Sequence, residues 1–130
     1  MSDLQCVVVT PEKTEVDVRA TSVTVPLFDG EMGILKGHSP LVGRLGYGLL
    51  RMQVGGETQR YFIEEGLIQV DKDVVSILTD KVTPVSKITA DVVAKATEAA
   101  QTMPVSQASE IAARKRALER ARALSRVAGN

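Results

Sequence analysis

Side chains that could perform catalysis or bind a metal are scarce in this chain of 130 residues. It has one histidine, His38, and one cysteine, Cys6. A lone histidine cannot build a multi-histidine metal site, and a lone cysteine cannot form an internal disulfide or a cysteine-based zinc site. The sequence contains no HExxH motif, no GxxxxGKS/T phosphate-binding loop and no pattern that supports a Ser-His-Asp triad. We therefore expect no catalytic residues, no metal and no cofactor.

The histidine lies in the segment of the chain that is richest in glycine. Residues 29–48, DGEMGILKGHSPLVGRLGYG, contain six glycines, one proline, Glu31 and His38. Glycine permits positive φ and close backbone approach, and proline fixes φ, so both work against the interior of a regular element. The segment is predicted to be a shaped surface loop, the kind of structure that carries contacts on a rigid scaffold.

Basic side chains are concentrated near the C-terminus. Residues 1–86 carry 8 Lys/Arg and 12 Asp/Glu, and residues 87–130 carry 8 and 4, so the net charges are −4 and +4. At 100° per residue, Lys115, Arg122 and Arg126 share one edge of a helix, and Arg116 and Arg120 form a second stripe. A solvated helix face is one interpretation of such a run. Residues 114–126 contain six basic side chains but only one glutamate, so pairing within the helix cannot neutralise them. Binding to an acidic partner is therefore the favoured interpretation.

The elements that position these residues change in type along the chain. Up to about residue 80, short valine-rich runs recur at the roughly 8–12-residue spacing that is typical of an all-β sandwich or barrel. Apolar residues alternate with polar ones over residues 50–54, and glycines 55 and 56 supply a tight hairpin. Residues 64–66 and 71–73 are predicted to be the next two turns. We expect an N-terminal antiparallel β-sandwich domain over residues 1–85.

Residues 86–130 are predicted to form a second domain, an antiparallel hairpin of two helices. Thr89 can cap the first helix and Ser106 the second, and the second helix is expected to end before Gly129. The short link between them favours an antiparallel hairpin. Alanine dominates the facing surfaces and buries little area, so the interface is expected to be weak. The inward face of the second helix is predicted to contain Ile111, Ala117, Leu118, Ala121, Leu124 and Ala128.

Targeting signals are absent from the sequence. The first residues lack a basic region followed by an apolar stretch, and no apolar run reaches 18 residues. The single cysteine, set in an apolar run, is predicted to be a buried thiol, as fits a reducing compartment. We expect a soluble, cytoplasmic protein, which could still be peripheral to a membrane.

Two segments of the sandwich resemble a known family. GILKGHSPL, residues 33–41, is similar to the GILPGHAPL-like segment of the ε subunit of bacterial F-type ATP synthases, with Lys36 in place of the usual proline. EEGLIQVDKDVVSILTD, residues 64–80, resembles the closing hairpin of the same domain. The order and proportions of sandwich, proline-marked junction and helical hairpin also match that family.

The resemblance implies a non-catalytic rotor subunit of the proton-translocating enzyme, peripheral to the cytoplasmic face of the bacterial inner membrane. In that family the sandwich binds the γ subunit and the membrane c-ring, and the C-terminal helices extend toward the catalytic β subunits, and the neighbouring α subunits, to restrain ATP hydrolysis. Glu31 and His38 occupy the motif positions of the c-ring contact. The resemblance also implies that the β subunit is contacted by the basic side chains Lys115, Arg116, Arg120, Arg122 and Arg126.

Some members of the family also bind ATP on the folded hairpin, through an Ile/Leu-Asp-x-x-Arg-Ala sequence and two arginines of the second helix. Here Thr89 replaces the aspartate and Val92 the arginine, whereas RALSR at 122–126 keeps the paired arginines. A carboxylate and a phosphate-binding cation are thus missing, so we expect no nucleotide binding.

One alternative remains from the residues alone: a free-standing β-sandwich adaptor whose basic helix binds nucleic acid or an acidic protein. The four aromatic residues, Phe28, Tyr47, Tyr61 and Phe62, all lie far from the basic helix in sequence, so a base-stacking platform is missing there. Nucleic acid is therefore not the expected partner.

Overall fold

A computed structural model describes residues 3–128. Their contacts divide between Thr83 and Pro84 into two compact units, two residues before the predicted domain boundary. The strands are β1 (Leu4–Val9), β2 (Thr14–Ala20), β3 (Ser22–Leu27), β4 (Gly30–Leu35), β5 (Leu41–Leu45), β6 (Gly48–Val54), β7 (Glu57–Asp71) and β8 (Val74–Pro84). A 3₁₀ turn (Val85–Lys87) and the helices α1 (Ala90–Gln101) and α2 (Ala108–Ala128) follow.

The predicted fold class, an all-β sandwich followed by a two-helix hairpin, is confirmed. The strand order is β2-β1-β8-β7-β5-β3-β4, with β6 paired to both β3 and β7. The registered pairs are antiparallel except β1 with β8, which is parallel. Within this order β2 and β4 are the edge strands.

Alternating apolar side chains on most strands build one core inside the sandwich. In β1 and β6 every second residue is buried, as a strand with one face inward requires. Cys6 is fully buried, as predicted. Fully buried core side chains include Leu4, Val8, Val23, Val25, Ile34, Leu50, Met52, Ile63, Ile68 and Ile77.

The prediction of a continuous loop over residues 29–48 is wrong. Strands β4 and β5 occupy most of the segment, and β6 begins at its last residue. Two of the glycines are instead required because the backbone passes close to the end of β3. A Cβ on Gly46 would lie 2.9 Å from the Leu27 carbonyl oxygen, and one on Gly48 would lie 2.8 Å from Pro26 Cβ. Glycine density here reflects close packing of neighbouring backbones as well as turns.

The turn predicted at residues 64–66 is also wrong, because β7 continues through it. The strand instead bends there as it changes partner, from β6 over residues 57–63 to β5 over residues 66–70. Glu65 and Gly66 take positive φ values of 26° and 143°. The Thr79 hydroxyl stabilises the bend, since it donates to the Glu64 carbonyl and accepts from the Glu64 N–H at 3.2 Å. The turn predicted at residues 71–73 is present between β7 and β8.

Helix α1 begins as predicted, with the Thr89 hydroxyl accepting from Val92 N–H at 3.3 Å. The predicted cap at Ser106 is wrong, because α2 starts at Ala108. Glu110 performs the capping instead: its carboxylate accepts from the Gln107 N–H at 2.9 Å, as the third helical residue does in a capping box. The second helix is expected to run to about Val127, before Gly129, and the described helix runs to Ala128.

The predicted inward face of α2 is correct in part. Ala121 and Leu124 are buried, whereas Ile111 is 54% exposed and Ala128 is exposed as well. For Ile111 the reason is length, because α2 has 21 residues and α1 has 12. Ser125 and Ala128 lie beside the start of α1, so the first turns of α2 extend past the end of α1. Neither described helix is long and apolar enough to span a bilayer.

Candidate functional sites

Glu31 and His38 do not form one constellation, contrary to the prediction of a shared loop. Glu31 is the second residue of β4, and His38 follows the turn after Leu35, where β4 ends. With a rise of about 3.3 Å per residue, the strand alone separates these ends by roughly 13 Å. The two side chains therefore lie at opposite ends of an edge strand.

Glu31 is engaged by an arginine from another strand. Arg51 Nη2 of β6 donates to Glu31 Oε1 at 3.0 Å, and the two side chains are 41% and 56% exposed. The pair lies on the outward face of the sheet, where it is accessible to a partner. Arg51 was not predicted as a site residue; only its alternation with Leu50 and Met52, which places it outward, could have indicated it.

His38 is half-buried and is held by its own turn. Its backbone N–H donates to the Leu35 carbonyl at 3.1 Å, and its ring Nδ1 lies 2.7 Å from the Ser39 carbonyl oxygen. Because a carbonyl only accepts, Nδ1 is the donor in the second of these hydrogen bonds. The Gly37 N–H donates to Asp73 Oδ1 at 2.7 Å, which ties this turn to the turn between β7 and β8. The arrangement presents one ring nitrogen from a fixed turn.

Neither a reactive thiol nor a metal-binding cluster is present among the described residues. Burial, and secondarily the charge of Asp17, raises the pKa of the Cys6 thiol to about 12, so it stays protonated. Among residues 3–128, no three His, Cys, Asp or Glu side chains converge as metal ligands.

The five basic side chains of α2 that were predicted to contact the β subunit divide into two groups. Lys115, Arg116 and Arg122 are exposed and make no ion pair within the described residues. Arg126 is exposed and Arg120 is half-buried, and both already interact with other groups of the protein. Three cations are therefore available to an acidic partner without breaking an existing ion pair.

A groove of about 530 Å³ lies within the helical unit, beside the capped start of α1. Its walls carry no ionised side chain, which a nucleotide triphosphate would need for binding. The lining residues are Ile88, Thr89, Ala90, Val93, Ala94, Ser125 and Ala128.

A feature that sequence reasoning missed is an exposed apolar face on one outer side of the sandwich. Phe28, Val42, Leu67 and Leu78 are 65%, 73%, 50% and 49% exposed, respectively. Arg44 links two of them, because it lies opposite Leu67 in the β5–β7 register and its guanidinium carbon is 5.3 Å from the centre of the Phe28 ring. Leu67 and Leu78 line a shallow groove of about 380 Å³. Exposed apolar patches of this kind mark interaction surfaces.

Comparison with known proteins gives consistent matches. A family model described as ATP synthase, delta/epsilon chain, beta-sandwich domain matches residues 3–85. The chain is 44% identical over 119 residues to the ATP synthase epsilon chain of Rhodopirellula baltica, which covers 92% of this chain and 93% of that protein. It is 38% identical over 81 residues to the epsilon chain of Symbiobacterium thermophilum, which covers 62% of this chain and 58% of that protein.

The fold has a close counterpart among solved structures. It is similar to a chain in the OSCP/F1/c-ring assembly of the Euglena gracilis mitochondrial ATP synthase in rotational state 1, determined by cryo-electron microscopy. The TM-score is 0.86 at 25% identity, covering 97% of this chain and 81% of that chain. The sandwich, the helical hairpin and the resemblance noted in the sequence thus agree, and the chain belongs to the ATP synthase delta/epsilon chain family.

Proposed function

We propose that this chain is the ε subunit of a proton-translocating F-type ATP synthase, a non-catalytic component of the rotor. In this role it links the γ subunit of the central stalk to the c-ring, couples proton transport to ATP synthesis and restrains ATP hydrolysis. The observation that carries the proposal is the 44% identity to an ATP synthase epsilon chain, which runs through 92% of the chain and so includes helices as well as sandwich. Its location would be the cytoplasmic face of the bacterial inner membrane, where it is peripheral and held by the complex.

The exposed apolar face is the surface we assign to γ. Phe28, Val42, Leu67 and Leu78 would remain in water in the free subunit, and burial against a partner stabilises a complex by about 25 cal/mol per Å². Arg44 supplies a polar group within this face. Replacing Val42 or Leu67 by aspartate should weaken association with γ, because a carboxylate would then be buried without a partner.

The c-ring contact is assigned to Glu31 and His38. Since they lie at opposite ends of β4, one ring contact can include both only if it extends along this edge strand. Strand β4 pairs only with β3, so its other side is free for such a contact within the described part of the chain. If the contact is confined to one end, only one of the two residues takes part.

The basic face of α2 is assigned to the catalytic β subunits and the α subunits beside them. Lys115, Arg116 and Arg122 offer charge without an internal counter-ion, and Arg120 and Arg126 complete the two stripes. An exposed cationic helix can meet acidic loops and hold the rotor during hydrolysis. An adaptor that binds nucleic acid or an acidic protein would also use Lys115, Arg116 and Arg122.

Co-purification tests the proposal against that alternative. An affinity-tagged chain in its native cell should isolate γ and the other synthase subunits at a fixed ratio. Deletion of the chain should lower ATP synthesis in membrane vesicles. Recovery with nucleic acid that dissociates as salt rises, without synthase subunits, would contradict the rotor role.

A further inference from the structure

The ion pair between Arg51 and Glu31 spans three neighbouring strands. Arg51 of β6 lies opposite Thr24 of β3, and Thr24 lies opposite Gly33 of β4. Glu31 is two residues before Gly33, so it points to the same outward side of β4. Arg51 Nη2 reaches diagonally across β3 to donate to Glu31 Oε1 at 3.0 Å.

Gly33 leaves open space beside this ion pair. A Cβ built on Gly33 would meet no atom within 4 Å, and its backbone is outside the positive-φ region. No turn or close approach therefore requires glycine at this position. The absence of a side chain leaves room on the outward face for the guanidinium to reach Glu31.

Stability does not account for the placement of Arg51. Its Nε is buried and has no acceptor among the described residues. Arg60, a like charge, lies directly opposite on β7. An unsatisfied buried donor and a cross-strand pair of like charges both cost free energy, whereas an exposed ion pair contributes little.

We propose that Arg51 is a positioning residue, which holds the Glu31 carboxylate in one orientation on the edge strand for its contact with the c-ring. This inference rests on the proposed function, in which Glu31 makes that contact. Arg51 itself need not touch the ring. Without it the carboxylate would sample several rotamers, and each contact with the ring would have to order it again.

The test uses the full chain assembled into the synthase in membrane vesicles, with protons pumped per ATP hydrolysed as the readout. Arg51→Gln removes the donor, and Gly33→Val keeps both charges but fills the space beside them. Each should lower coupling by about two- to fivefold, as expected from loss of one exposed charge pair, and by no more than Glu31→Gln does. The urea unfolding midpoint of the isolated subunit should not fall in either variant, because Arg51→Gln removes the unsatisfied donor and the like charge opposite Arg60, and nothing lies within 4 Å of a Cβ on Gly33.

A charge exchange separates positioning from a merely structural role. The double variant Glu31→Arg with Arg51→Glu restores an ion pair but moves the carboxylate to β6, so coupling should remain low. Recovery of coupling in this variant would overturn the proposal, because the pair alone would then suffice. If Glu31→Gln lowers coupling but Arg51→Gln and Gly33→Val do not, the positioning role is wrong while the ring contact stands. If Glu31→Gln has no effect, the ring contact and the positioning role both fail.

Discussion

At Gly66 the backbones of β7 and β8 approach so closely that no side chain fits. A Cβ at this position would lie 1.9 Å from the Leu78 carbonyl oxygen, and φ is 143°. Substitution by alanine therefore requires β7 and β8 to separate, and the added backbone strain increases the cost. We expect Gly66→Ala to lower the free energy of unfolding by at least about 2 kcal/mol, measured by urea denaturation.

Gly33→Ala is the matched control, because it adds the same methyl group to a strand where nothing lies within 4 Å. It should leave stability unchanged or raise it slightly, since alanine restricts the unfolded chain more than glycine does. Equal loss of stability in the two variants would show that the close approach at Gly66 is not what makes glycine necessary there.

Thr79 satisfies both backbone groups of Glu64 at the bend of β7. Thr79→Val has nearly the same shape but lacks the hydroxyl, so the Glu64 N–H and C=O lose this hydrogen-bond partner in a half-buried position. We expect a loss of about 1–3 kcal/mol in the free energy of unfolding. Thr79→Ser keeps the hydroxyl and should lose less. A valine variant as stable as the parent would mean that water replaces the hydroxyl at the bend.

Sequence patterns predicted the burial of side chains more accurately than they predicted why glycine is needed at particular positions. Alternation placed Leu50 and Met52 inward, and both are fully buried. The local sequence cannot show which backbone will pass beside a glycine, because that neighbour comes from a strand elsewhere in the chain. The backbone of Gly66 lies against Leu78, and that of Gly46 lies against Leu27. In the sequence both glycines look like ordinary turn residues, so neither of these close contacts could be predicted.

At the scale of one element, strand β4 separates the two residues assigned to the c-ring. Substitution of Glu31 by glutamine or His38 by alanine should impair proton-coupled ATP synthesis in membrane vesicles, while the isolated sandwich still folds, since both residues lie outside the core. A contact along the whole edge strand predicts that both variants are impaired. Impairment of only one would assign the contact to that end of β4, and normal synthesis in both would exclude the ring role of these residues.

Helix α2 carries the charge that we assign to inhibition. Replacing Lys115, Arg122 and Arg126 together by alanine should raise ATP hydrolysis by the assembled enzyme, and so should deleting the chain after Met103. Single substitutions should have small effects, because an exposed ion pair contributes only about 0.2–1 kcal/mol. Alanine preserves helix propensity, so the triple variant tests charge separately from helix formation. Steady-state ATPase rates of reconstituted enzyme are the measurement.

The matched control replaces three exposed cations that lie off α2, Lys13, Lys81 and Lys95, by alanine. It removes the same total charge and should leave hydrolysis unchanged. Activation by the truncation alone would show that the bulk of the hairpin blocks rotation. Unchanged hydrolysis in both α2 variants would show that this hairpin does not inhibit.

Secondary structure within the helical unit was predictable because its signals are local. Thr89 caps α1 through a hydroxyl three residues from its donor, and Pro104 stands between the two helices. The exposure of Ile111 was not predictable, because it depends on how far α2 extends past α1.

At the scale of the whole molecule, we expect no ATP binding by the isolated subunit. The groove beside α1 has neither the carboxylate nor the cation that the nucleotide-binding members of the family use. Titration calorimetry with ATP and Mg²⁺ should give no micromolar binding. The double variant Thr89→Asp with Val92→Arg is the matched comparison, since aspartate also caps a helix and leaves α1 intact. Micromolar binding by the unaltered chain would contradict the expectation.

The fold class could be predicted from periodicity and turn spacing. The pairing of distant strands and the composition of the outer surfaces could not. The parallel pairing of β1 with β8 joins the two ends of the sandwich unit in sequence, and no local pattern specifies it. The apolar face likewise gathers Phe28, Val42, Leu67 and Leu78 from four places in the chain. Each of them alone is an ordinary apolar residue next to a strand or within one.

Strand β7 has a mechanical consequence if the chain rotates with the central stalk, as we propose. Its first half is hydrogen-bonded to β6 and its second half to β5, so one continuous backbone belongs to both strand pairs. A sideways force applied to one pair is therefore carried into the other through the covalent backbone, and β5 and β6 cannot slide past each other without distorting β7. Amide hydrogens on either side of the Glu64–Gly66 bend should consequently exchange with solvent at one common rate of opening, as expected of a single torsionally stiff body.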